Sequence, residues 1–109
     1  MAGEWIDFVK NLKDETGALS ASELVGLITS FRTDSNEFVR KQAAKVERYF
    51  DQLARGEITK VDFERYMRQI SRLEEMESLR LSVAARASAQ RLANAIKRLI
   101  LAKVLDLLV

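Results

Sequence analysis

Cysteine, histidine and proline are all missing from this 109-residue sequence, and glycine occurs only four times. Without cysteine or histidine there are no disulfides, thiolate nucleophiles, zinc sites of ordinary type, haem ligands of either kind, or imidazole acid–base groups. Most familiar catalytic constellations fall away with them. The chain is therefore expected to be non-enzymatic and to need no cofactor. A cysteine-free composition fits a reducing interior, so a cytoplasmic location is expected, with attachment to the periphery of a membrane as a second possibility.

Long apolar runs are scarce too. The most apolar stretch, "LILAKVLDLLV" from Leu99 to Val109, has eleven residues including Lys103 and Asp106, against roughly 20 apolar residues for a bilayer crossing. No membrane span is expected. The first residues, "MAGEWIDFVKNLKDE", scatter their charges and contain no apolar run of signal-peptide length, so no export signal is expected either.

What is present is the material of helices. Apolar residues make up 48% and charged residues 31%, and without proline few breaks are forced on the chain. The length suits one helical domain over residues 1–109, with 1–57 as an N-terminal helical group and 58–109 as a long C-terminal segment. The spacing predicts an all-α bundle of four or five helices.

Trp5, Phe8, Val9 and Leu12 form the stripe of a first helix over about 4–15, with Gly17 as its C-terminal cap. Ser20 and Glu23 have the spacing of a capping box, with Leu19 and Leu24 as a hydrophobic staple, and they open a second helix that stops near Arg32. In "RTDSNEF", Asp34 and Glu37 repeat the capping-box spacing. The third helix then carries the cleanest coiled-coil-like seam of the chain, with Val39, Ala43, Val46, Phe50 and Leu53 at steps of four and three.

"ARGEITKVDFERYM", residues 54–67, has the glycine of a calcium-binding loop without its ligands. With Gly56 at the sixth position, Leu53 and Arg55 occupy the third and fifth, where oxygen ligands belong. A corner accounts for every residue instead. Gly56 ends the third helix, Thr59 and Asp62 cap the fourth, and Ile58 packs on Phe63 as a staple.

From Lys60 onward no glycine or proline interrupts the pattern. A single helix to Leu108 would be roughly 70 Å long, far beyond the ~13 Å radius of gyration of a domain this size. The stripe of Phe63, Tyr66, Met67, Ile70 and Leu73 loses its phase over 76–82 and resumes as Leu81, Ala85, Ala89, Leu92, Ile96 and Leu99. A break is placed in that interval, but no strong breaker occupies it, and propensity alone favours a continuous helix. The acidic cluster within it, Glu74, Glu75 and Glu77, is expected to form a solvated face.

Charge is unevenly distributed. From Ser78 onward, six basic residues stand against Asp106 alone, giving +5, while the rest of the chain carries −3. This makes the last segment a basic amphipathic helix. Because its end is apolar nearly all round, an external cover is expected, placed on Leu92, Ile96, Leu99, Ile100, Val104, Leu105 and Leu108. Arg91, Lys97 and Arg98 are expected to orient an acidic partner.

The partner reading is a protein, and a homo-oligomer is the most economical form of it. An anionic membrane surface is the alternative, with the C-terminal helix lying on lipid. Nucleic acid is disfavoured, because no aromatic residue follows Tyr66 to stack on bases and no helix-turn-helix spacing occurs. Function is thus expected to be interaction or assembly.

Overall fold

The computed structural model describes residues 4–11 and 21–105. Five helices follow one another: α1 (Glu4–Lys10), α2 (Ala21–Arg32), α3 (Glu37–Ala54), α4 (Lys60–Ser78) and α5 (Val83–Ala95), the last running into a π-helical segment over Ile96–Val104. Among the described residues there is no strand. The radius of gyration is 13.3 Å and the extents are 38 × 27 × 26 Å, so the all-α bundle is as compact as the length implies. No helix among the described residues is long and apolar enough to cross a membrane.

At the centre is α3, which touches each of the other four helices. Its seam explains why: Val39, Ala43, Val46 and Phe50 are fully buried, and Leu53 packs at the edge of the same core. Trp5 ties α1 to it by two contacts. Its backbone N–H donates to Asp51 Oδ1 at 2.9 Å, and its ring centroid lies 5.7 Å from that of Phe50. The expected end of the first helix, including Gly17, lies outside the described residues, as do Leu19 and Ser20 of the expected staple and capping box.

The cap of α3 corrects one expectation. Asn36, rather than Asp34, is the N-cap, its Oδ1 accepting from the Val39 N–H at 3.2 Å. Asp34 Oδ1 instead accepts from the Asn36 N–H at 2.8 Å, an Asx-type turn that sets the cap in place. Both residues can cap in principle, and the one nearer the first buried position, Val39, does so.

The corner between α3 and α4 has the expected construction. Gly56 has φ +74°, and the Gly56 and Glu57 N–H groups donate to the Leu53 and Gln52 carbonyls at 3.1 and 2.8 Å, the paired bonds of a Schellman ending. Thr59 Oγ1 accepts from the Asp62 N–H at 3.1 Å while Asp62 accepts back from the Thr59 N–H at 3.3 Å. That returning bond holds the Asp62 carboxyl below its ordinary pKa. Phe63 is buried and Ile58 packs at the edge of the core.

Along α4, Phe63, Met67 and Ile70 enter the core at steps of four and three. The next step of four lands on Glu74, which is fully buried with neither carboxylate oxygen hydrogen-bonded. The expected solvated face therefore fails for this residue, because the seam continues one position further than its apolar members do. Desolvation pushes its pKa up to about 8. Its neighbours behave otherwise: Glu75 is exposed and ion-paired with Lys97, and Glu77 Oε2 lies 3.8 Å from the Arg80 guanidinium.

The fourth helix stops at Ser78, so the continuous helix is overturned and the break falls inside the interval where the stripe loses phase. Two side chains make the break without glycine or proline. Ser82 caps α5, accepting from the Ala85 N–H at 3.3 Å. Arg86 reaches back to cap α4, with Nε on the Ser78 carbonyl at 3.0 Å and Nη2 on the Leu79 carbonyl at 3.3 Å. After this turn α5 packs along α4 more extensively than any other pair of helices does.

Candidate interaction surface

In the last helix, Leu92, Ile96, Ile100 and Val104 recur at equal steps of four and are all buried. An α-helix overshoots a turn by about 40° at each such step, so four residues at this spacing would wind off the core. The π-helical turns, with i→i+5 hydrogen bonds and a wider circumference, undershoot instead and return the stripe to the core. Leu105 is buried beside them, and Leu99 and Leu101 lie at the edge of the core.

This placement puts five of the seven residues of the expected partner surface in the chain's own core. Leu92, Ile96, Ile100, Val104 and Leu105 are covered by the chain's own helices, and Leu108 lies outside the described residues. The premise that the preceding helices were too few to cover them fails, because the break at Leu79 folds the segment back along α4. Of the seven, Leu99 alone is both described and partly accessible.

The three cations assigned to partner contacts are all exposed. Two of them meet Leu99. Arg91 and Arg98 rim a groove of about 300 Å³ between α2 and the last helix, together with Asn94 and Glu23, and Leu27, Ala95 and Leu99 supply its apolar lining. Arg91 donates to Ser88 Oγ at 3.2 Å, whereas Arg98 makes no ion pair among the described residues. A site with apolar lining and guanidinium rim suits a segment that combines apolar side chains with carboxylates.

Lys97 faces the other flank of the same helix. There a second groove, of about 400 Å³, lies against α4 and brings Arg68 and Arg72 beside Lys97, Leu101 and Ala102. Its charges are partly answered internally, by the Lys97–Glu75 pair and by Arg68 Nε on Glu64 at 3.3 Å. The α2 groove is the more apolar of the two, and each carries one arginine, Arg98 here and Arg72 there, with no ion pair among the described residues.

One surface was missed from the sequence. Met76, Leu79 and Val83 are 69%, 73% and 82% exposed around the α4–α5 turn. Val61, 70% exposed in the first turn of α4, is the other large apolar side chain on the described surface. A signal for the cluster does exist in "MESLRLSV": apolar residues sit where a turn would ordinarily carry glycine, asparagine or aspartate. Trp5, Phe31, Phe50 and Phe63, in contrast, lie in the core, and Tyr49 and Tyr66 stack at 4.4 Å between α3 and α4. No known protein family, curated protein sequence or solved structure matches this chain, so the surface is read from its own geometry.

Proposed function

We propose that the protein is a non-enzymatic helical interaction module, and that it binds an acidic, apolar protein segment in the groove between α2 and the last helix. The observation that carries this reading is the convergence of Arg91, Arg98 and Leu99 over Leu27 and Ala95. Apolar contact supplies affinity in such a groove, and the guanidinium rim selects for carboxylates and speeds encounter. The competing reading, an anionic membrane surface, needs the leucines of the last helix to face lipid, and five of the assigned apolar residues face the core.

A fluorescently labelled helical peptide with a leucine stripe flanked by glutamates tests the proposal. Saturable one-to-one binding is expected, weakened by salt and lost in the double variant Arg91→Glu/Arg98→Glu. Exchanging Arg72→Glu in the other groove is expected to leave it in place. Binding that survives the double variant, or no saturable binding at all, would overturn the assignment of this groove.

A further inference from the structure

We infer that α5 and the last helical segment exchange between two copies of the chain, the α4–α5 turn straightening so that each copy gives one continuous helix to a closed dimer. The inference stands apart from the groove reading, since it needs neither Arg91 nor Arg98. It starts from a conflict between local preference and fold at the turn. Leu79, Arg80, Leu81 and Ser82 include no glycine, proline, asparagine or aspartate, and leucine and arginine are among the better helix formers. None of the four has positive φ. Leu79 holds helical angles, φ −65° and ψ −20°, and the Arg80 and Leu81 N–H groups donate to the Glu77 and Ser78 carbonyls three residues back. Ser82, at φ −60° and ψ 164°, is extended.

The buried face also runs on through the turn. Ile70, Glu74, Ser78, Leu81, Ala85 and Ala89 would lie within an arc of about 100° on a straight α-helix, and all six are buried or at the edge of the core. The apolar residues lose phase here only because the two intervening positions are a glutamate and a serine. Hairpin and straight helix therefore present the same face to the core. Straightening also replaces the caps of the turn. The Ser78 and Leu79 carbonyls, held by Arg86, would accept from the Ser82 and Val83 N–H groups, and the Ala85 N–H, held by Ser82, would donate to the Leu81 carbonyl.

What holds the reversal in place is the packing of α5 and the last segment on α4, and a second copy can supply that packing equally well. A lone straightened chain would bare Ala89, Leu92, Ile96 and Ile100, all buried in the folded chain. Two straightened chains lying antiparallel cover each other, and the contacts of the single chain are remade across the pair. Such an exchange is reciprocal, so it closes at two copies and is a low-cost route to a dimer. Within one chain the same contacts profit from an effective concentration on the order of millimolar. Monomer is accordingly expected in dilute solution and the exchanged dimer at millimolar protein.

The test is refolding from urea at micromolar and at millimolar protein, read by size-exclusion chromatography with light scattering. One chain is expected from the dilute sample and a defined species of two chains from the concentrated one. Glu75 and Lys97 are ion-paired across the exchanged contact, and the chain has no cysteine. In Glu75→Cys/Lys97→Cys, a short bismaleimide is expected to bridge within one chain in the monomer and between two chains in the dimer, doubling the mass on a denaturing gel. Ser82→Ala removes a cap that only the reversed turn uses. With one such loss in each copy, the dimer dissociation constant is expected to fall about 30-fold. Leu79→Asn/Arg80→Gly suits a reversal and disfavours a helix, and is expected to raise that constant about 100-fold. Circular dichroism melting checks folding, and Arg86→Met, which removes the other cap, replaces Ser82→Ala if that variant does not fold.

A chain that refolds to monomer alone at millimolar concentration overturns the inference. So does a dimer bridged only within its chains, which is a surface association, or a Ser82→Ala variant that dimerises no more readily than wild type. The acidic-peptide titration, run on dilute monomer, reads the groove separately from any of these results.

Discussion

The two turns that bracket α4 are built in opposite ways. At the α3–α4 corner every bond is local: Gly56 supplies the left-handed residue, Thr59 and Asp62 exchange capping bonds three residues apart, and Ile58 packs at the edge of the core that holds Phe63. At the α4–α5 corner no residue has positive φ, and the capping of α4 comes from Arg86, eight residues beyond the carbonyl it holds. The first corner is a turn because of its residues. The second is a turn because α5 packs back on α4, and its exposed residues are therefore free to serve something other than turning.

The largest expected effect comes from the helix between the corners, one turn before the second of them. Glu74 occupies a core position, and burial raises its carboxyl to about 8. The unfolded chain releases this proton near pH 4.3 while the folded chain retains it to about 8, so folding stability falls as pH rises through that window and levels off above it. The slope is about 1.4 kcal/mol per pH unit, amounting to about 4 kcal/mol by pH 7. Through this ionisation, Glu74→Leu is expected to be stabilising by about that much at neutral pH, by about 1 kcal/mol at pH 5 and by little below pH 4. Urea denaturation of both proteins at several pH values checks it, and parallel curves would show that Glu74 is not ionised only at a cost.

The same contrast explains what could be read from the sequence. The α3 seam, the Gly56 ending and the Thr59–Asp62 cap are local patterns, and local patterns are visible in a string of residues. The phase loss near Met76 located the second break for the same reason. What was not legible depended on distance: Arg86 as a cap, Glu74 as a core residue, and Leu92, Ile96, Ile100, Val104 and Leu105 as covered rather than open. The helical period continued through Glu74, but a carboxylate at a core position looks like a surface residue until the packing around it is known. The π-helical turns were equally invisible, since only the fit of Leu92, Ile96, Ile100 and Val104 to one core line requires them. Of the proposed binding surface, Arg91, Arg98 and Leu99 were legible as exposed or partly exposed members of a basic helix, and Leu27 was not, because it comes from another element.

Removing each corner's main device sharpens the comparison. Arg86→Met leaves two carbonyls at the end of α4 without their charged donor, and a hydrogen bond to a charged group is worth about 1.5 kcal/mol or more. A loss of about 1.5 kcal/mol is expected, with faster amide exchange concentrated at Leu79–Val83 rather than spread through the fold. Gly56→Ala places a side chain at φ +74°, where an L-residue costs about 1 kcal/mol. No atom would crowd the added Cβ, since nothing lies within 4 Å of its position. The loss is therefore purely conformational, and Gly56→Asn should recover part of it, because asparagine tolerates that region.

The smallest effect discriminates most sharply between the corners. If the apolar residues of the second corner support the turn, exchanging them for serine should destabilise the monomer; if they stand outside both turn and core, it should not. Leu79→Ser and Val83→Ser fall at positions 73% and 82% exposed, where surface substitutions ordinarily stay within about 0.5 kcal/mol. Ser82→Ala at the same turn removes the hydroxyl that accepts from the Ala85 N–H and is expected to cost about 1 kcal/mol. Measured side by side by chemical denaturation in dilute protein, the polar residue of this corner should matter to folding and its neighbouring apolar residues should not. An equal loss from Leu79→Ser would mean that the apolar cluster is structural, and that its exposure needs no partner to explain it.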